Sequence, residues 1–90
     1  MAARIESFQF SKKFRKEYRK LPVNVQKVFN DKLILLQNNL SHPSLRIKRI
    51  QGTRDRWEGS VTMKYRFTFE MQNQTIVFRT IGTHDILNKS

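Results

Sequence analysis

The sequence predicts an α+β fold: a helical hairpin packed on a four-stranded, mostly antiparallel sheet, in the order β-α-α-β-β-β. Three observations carry this reading. Apolar residues recur at helical spacing in the first half of the chain, and they alternate with polar ones in the second. The change of period falls at the break Ser41-His42-Pro43-Ser44. At 90 residues the chain is expected to form one domain, residues 1–90. Its 38% hydrophobic and 11% aromatic content suffices for one packed core and argues against disorder.

The elements follow in order. Ile5 to Phe10 reads as a short strand with Phe8 and Phe10 on one face. Ser11 can cap a helix from Lys12 to about Lys20, in which Phe14, Tyr18 and Leu21 share a side. The residue before Pro22 is pushed out of the helical region, so the helix ends at Leu21. A longer helix runs from Val23 to Leu40, with Val25, Val28, Phe29, Leu33, Leu36 and Leu40 as its buried stripe. After the break, Leu45, Ile47 and Ile50 precede a loop at Gly52–Arg56. Trp57 to Thr62 reads as a strand with Trp57, Gly59 and Val61 on one side. Lys64 to Met71 is the clearest strand: Tyr65, Phe67, Phe69 and Met71 face inward, and Lys64, Arg66, Thr68 and Glu70 outward. Gln72-Asn73-Gln74 makes a turn into a last strand, Thr75 to Ile81.

Charge and composition narrow the function. The chain carries 18 Lys and Arg against 7 Asp and Glu, a net charge of +11. The cations are spread evenly, nine in residues 1–40 and nine in residues 41–90, so they belong to the fold and not to a tail. Such a surface asks for a polyanion: nucleic acid, an acidic protein, or both. The absence of cysteine excludes a disulfide scaffold, a thiol nucleophile and thiolate metal sites. Two histidines argue against a protein-built metal centre. No apolar run is long enough to span a bilayer, and MAARIESFQF lacks the apolar stretch of a secretory signal. The expectation is a cytoplasmic protein with no membrane partner, no metal and no small-molecule cofactor.

Several short motifs then line up. They are Ile50-Gln51-Gly52 before the loop, Trp57 opening the next strand, and Tyr65-Arg66 eight residues later. Arg79-Thr80-Ile81-Gly82-Thr83-His84-Asp85 follows near the end. In this order and spacing the chain resembles the RelE/ParE superfamily of bacterial toxin–antitoxin toxins, and the resemblance covers nearly its whole length. The near-terminal histidine resembles that of the YafQ-like and YoeB-like branches, where it takes part in RNA cleavage. The Tyr-Arg pair resembles the position of an active-site arginine in the RelE and YoeB branches. The resemblance implies a RelE-like fold and a ribosome-dependent, metal-independent mRNA endonuclease that blocks translation. Its partners would be the ribosome, mRNA and a cognate antitoxin. Two departures stand out. Glu58, Gly59 and Ser60 occupy positions where RelE itself carries lysines, and Asp85 follows the histidine where the branch pattern has an aromatic.

Metal-free RNA cleavage needs a group to take the 2′ proton, a cation on the phosphorane oxygens and a proton donor for the leaving oxygen. His84 is the candidate for proton transfer, because imidazole titrates near neutrality; the alternative is an ordinary loop histidine. Arg66 is the candidate phosphate ligand, its alternative being a solvated strand face. Lys48, with Arg46 on the same side of an extended segment, can approach the scissile phosphate. Glu58 can act as a base paired with Arg66 or form a cross-strand ion pair, and the ion pair is the favoured reading. Lys12, Lys13, Lys16 and Lys20 on the first helix, with Arg54, Arg56, Lys64 and Arg79, complete the candidate RNA or ribosome surface. Trp57, Tyr65 and Phe67 are read as core before they are read as base-stacking groups. Two other readings stay open: a gyrase-binding toxin of the ParE type, which needs no His84–Arg66 pair, and a basic RNA-binding module without catalysis.

Overall fold

The computed structural model describes residues 5–83 and Asp85. Strand β1 (Ser7–Phe10) leads into α1 (Lys12–Arg19) and α2 (Val23–Asn38), then a 3₁₀ turn at Pro43–Leu45. Strands β2 (Lys48–Arg49), β3 (Arg56–Ser60), β4 (Tyr65–Gln72) and β5 (Thr75–Thr83) follow. The sheet order is β1-β5-β4-β3-β2, with β1 parallel to β5 and every other pair antiparallel. The sheet therefore has five strands where four were expected. The additional one is β2, a two-residue strand that pairs with β3 at Lys48↔Glu58 and Arg49↔Trp57. A pairing that short leaves no alternation to read.

The start of α1 is set locally. Ser11 sits in extended conformation, and its Oγ accepts the Phe14 N–H at 2.9 Å as a side-chain cap. The same hydroxyl donates to the Arg79 carbonyl at 2.7 Å, which ties the helix start to β5. Pro22 occupies the cap position of α2, which ends at Asn38, before the expected Leu40. Among the described residues no helix is long and apolar enough to cross a membrane.

The helices cover one face of the sheet through an aromatic core. Phe14, Phe29, Phe67, Phe69 and Phe78 are all buried. Phe29 meets Phe67 and Phe78 edge-on at 5.6 and 5.5 Å, and Phe10 stacks on Phe78 at 5.1 Å. Each geometry is one that the ring quadrupole favours. Trp57 and Gly59 lie opposite Phe69 and Phe67, on this same face. A Cβ on Gly59 would stand 2.3 Å from Phe67 Cζ, so the absence of a side chain is what admits the ring.

The opposite face departs from expectation. Thr68, read as outward, is fully buried, and Glu58, Ser60 and Thr80 are buried as well. Thr68 and Thr80 share a hydroxyl–hydroxyl bond of 2.7 Å. The Arg79–Glu70 ion pair lies on β4 and β5 beside them. The register shifts at Thr68/Phe69: Thr68 pairs with Thr80 but Phe69 with Phe78, which makes Arg79 an extra residue. In a regular strand Arg79 would face away from both neighbours. The bulge puts it on the polar face with Thr80, where it binds Glu70.

Candidate active site on the polar face

Pairing of β2, β3 and β4 brings together residues that are far apart in sequence. Lys48 lies opposite Glu58, Glu58 opposite Thr68, and Ser60 opposite Arg66. Side chains of one parity then share a face, so Lys48, Glu58, Ser60 and Arg66 stand side by side. Lys48, Glu58 and Arg66, with Arg46 and Ile47, line an open cavity of about 360 Å³. Four of these five were singled out from the sequence. The lining carries three cations and one carboxylate, a balance that favours an anionic ligand.

Glu58 is paired with Lys48, Nζ to Oε1 3.4 Å, and not with Arg66. Its side chain is 9% exposed while that of Lys48 is 73% exposed. The carboxylate is thus fixed in the sheet while its partner is free to move. Exposed ion pairs contribute little, so an arriving anion can compete with Glu58 for the ammonium.

Arg66 is bound differently. Its Nη1 donates to Ser60 Oγ at 3.2 Å, to the Tyr65 carbonyl at 3.2 Å and to the Thr62 carbonyl. None of these acceptors is charged. Among the described residues the ion pairs are Lys48–Glu58 and Arg79–Glu70, so the guanidinium charge has no carboxylate against it.

Arg46 reaches the cavity from the end of the 3₁₀ turn, in left-handed conformation (φ 48°, ψ 46°). It also stands near Lys32 of α2, whose ammonium donates to the Ser44 carbonyl at 2.8 Å. Burial first, and the Arg46 charge second, hold the Lys32 pKa below that of an ordinary lysine.

The other candidates lie elsewhere. Lys12, Lys13, Lys16 and Lys20 are exposed on α1, in the layer that covers the opposite face of the sheet. Arg54 is exposed in the loop before β3, Arg56 opens that strand half-buried, and Lys64 is exposed in the β3–β4 turn. Arg79 does not line the cavity, because Glu70 holds it. His84 lies outside the described residues; it follows Thr83, the last residue of β5, and Gly82 is the register partner of Arg66. His42, read as a loop residue, accepts the Ser44 N–H and so caps the 3₁₀ turn.

Two features escaped the sequence. One is the set of acceptors around Arg66, since Ser60 and Thr62 carry no charge or motif to mark them. The other is a second concavity of about 390 Å³ in the helical layer, lined by Phe10, Phe14, Tyr18, Phe29 and Leu33 with Arg15, Arg19 and Asn30. Its lining is mostly apolar and holds no carboxylate or histidine, so the candidate for acid–base chemistry is the smaller cavity.

No protein-family profile matches the chain, and no curated protein matches it by sequence. Solved structures do. The chain is similar to a protein in the RelB–RelE antitoxin–toxin complex from Methanococcus jannaschii, with a TM-score of 0.74 and 24% identity over 90% of this chain and 95% of that one. It is similar to YafQ from Escherichia coli BL21(DE3), with a TM-score of 0.74 and 15% identity over 89% and 94%. It is also similar to a chain of the E. coli DinJ–YafQ toxin–antitoxin complex, with a TM-score of 0.70 and 18% identity over 96% and 98%. At such identities the agreement is one of backbone and topology: two helices on a five-stranded mixed sheet is, in this chain, the RelE-like toxin fold.

Proposed function

We propose that this protein is the toxin of a type II toxin–antitoxin pair and acts as a metal-independent endoribonuclease on ribosome-bound mRNA. The observation that carries this reading is the cavity where Arg46, Lys48 and Arg66 surround Glu58. Cleavage proceeds by attack of the substrate's own 2′-hydroxyl on the adjacent phosphorus, with loss of the 5′ oxygen. Arg66, which pairs with no carboxylate among the described residues, binds the scissile phosphate and stabilises the charge that grows on its oxygens. Lys48 leaves Glu58 for a phosphate oxygen. Glu58, from a fixed site in the sheet, and His84, through its imidazole, are the groups that move the protons. The basic face of α1 adds affinity for the ribosome without reading sequence.

An antitoxin partner is part of the proposal. The similar chains include toxins solved with RelB and DinJ, and a net charge of +11 suits an acidic segment that folds on binding. Ribosome-bound mRNA as substrate places the activity in the cytoplasm.

Primer extension on a defined mRNA in a purified translation system tests the reading. The wild type should give cuts that require ribosomes. Arg66→Ala, Glu58→Gln and His84→Ala, each folded by circular dichroism, should each lose about 10²-fold or more in rate. No cuts from the wild type beside an active control would overturn the nuclease assignment. DNA-damage signalling on expression would then point to the gyrase-binding alternative.

A further inference from the structure

The β3–β4 turn holds Arg66 in an unusual way. Ser60 ends β3, Arg66 sits near the start of β4, and the two are register partners. Ser60 Oγ donates its one proton to the Thr62 carbonyl at 3.0 Å, which leaves its lone pairs for Arg66 Nη1 at 3.2 Å. The Thr62 and Tyr65 carbonyls accept from that same nitrogen. The turn is itself closed: Thr62 Oγ1 accepts the Lys64 and Tyr65 N–H groups, and the Tyr65 carbonyl accepts the Val61 and Thr62 N–H groups. Three neutral oxygens on a braced loop therefore converge on one guanidinium nitrogen.

Two consequences follow from the chemistry of the group. A guanidinium is planar and delocalised, so anchoring Nη1 fixes the plane and with it Nη2 and Nε. Those two nitrogens have no hydrogen-bond acceptor among the described residues, and together they form the edge that matches two phosphate oxygens. Neutral acceptors also leave the positive charge intact, whereas a carboxylate in the same place would cancel it.

We infer that Ser60, with the Thr62 carbonyl it orients, is a positioning residue: it pre-sets Arg66 so that the Nη2/Nε edge meets a substrate phosphate. This rests on the phosphate role proposed for Arg66 but is a separate claim about another residue. Ser60 is buried at 8% exposure, and its link to the cavity is the hydrogen bond to Arg66. Its effect belongs to the rate of the chemical step, where geometry counts, and not to the capture of RNA.

The first measurement needs no substrate: side-chain ¹⁵N NMR of the arginines, with Arg66 assigned by loss of its signals in Arg66→Lys. In the wild type, Arg66 should show slow rotation about its guanidinium bonds and a slowly exchanging Nη1. Ser60→Ala should release both, and Ser60→Thr, which restores the hydroxyl, should recover them. A freely rotating Arg66 in the wild type would overturn the inference outright. So would Arg66 signals that stay the same in Ser60→Ala.

Cleavage kinetics form the second arm. Ser60→Ala should slow single-turnover cleavage by about tenfold, the size expected for one hydrogen bond to a charged group. Binding of an oligoribonucleotide with one 2′-deoxy residue at the cut site should change by less than about twofold. Ser60→Thr should recover the rate. A loss of binding equal to the loss of rate, or a rate defect that threonine leaves in place, would make Ser60 a merely structural residue. If the wild type cuts nothing, the nuclease reading fails, while the NMR arm still decides whether Ser60 positions Arg66.

Discussion

At the scale of single residues, the chemistry of this protein depends on how each charge is compensated. Arg79 and Glu70 cancel one another on the polar face, Lys48 and Glu58 are loosely paired, and among the described residues Arg66 is held by neutral oxygens alone. Lys32 feels burial and one neighbouring cation. Burial and then the Arg46 charge lower its pKa, so its ammonium should titrate below the ordinary lysine value of about 10.4. Between that lowered value and the unfolded one, the unfolded chain binds more protons. Its contribution to stability therefore rises with pH across that window, and at lower pH the buried charge is a constant cost. NMR titration of ¹³C-methylated lysines should find Lys32 low in the wild type and raised, though not fully restored, in Arg46→Ala. An unmoved pKa in that variant would remove Arg46 as a cause.

At the scale of elements, two kinds of interaction position the site. Local ones, such as the Ser11 cap and the stop at Pro22, start and end the helices. Cross-strand ones set which side chains meet. Gly59 belongs to the second kind, because its bare Cα lets Phe67 lie against β3 beside Glu58 and Ser60. Gly59→Ala should push that ring from the core and cost about 1–3 kcal/mol, as overpacked cores do. For a domain this size each kcal/mol lowers Tm by roughly 4–8 °C. A thermal melt at the wild-type temperature would show that Phe67 has room to yield.

On the same scale lies most of what was hard to read. The strong periods of α1, α2 and β4 were legible because each repeats over two turns or four residue pairs. Strand β2 is two residues long, and the bulge at Arg79 is a register event between two strands. Neither leaves a trace in its own segment. That is why the sequence expectation has one strand fewer and does not pair Arg79 with Glu70.

At the scale of the whole molecule, the cations divide between two faces. Those of the cavity sit on the polar side of the sheet, and those of α1 on the helical side. A short single-stranded RNA held at the cavity should feel mainly Arg46, Lys48 and Arg66. The logarithm of its binding constant should fall with the logarithm of salt at a slope of about −2, from roughly 0.7 per phosphate neutralised. Lys48→Ala should make that slope shallower by about 0.7, whereas Lys12→Ala should leave it nearly unchanged. Ribosome binding, spread over both faces, should respond to both substitutions. Equal effects of the two on the short RNA would place its binding outside the cavity.

The sequence alone determined the α+β class, the order of helices and strands, the two helical faces and the excess of positive charge. Each of these depends on residues near one another in the chain, where backbone propensity and side-chain period act directly. Only the tertiary structure decided that Arg46, Lys48, Glu58 and Arg66 share a cavity, that Glu58 pairs with Lys48, and that Arg79 does not join them. Those facts depend on strand register. A shift of one residue in a strand would send its side chains to the other face of the sheet, and the partner of each strand residue is set by segments far apart in the chain.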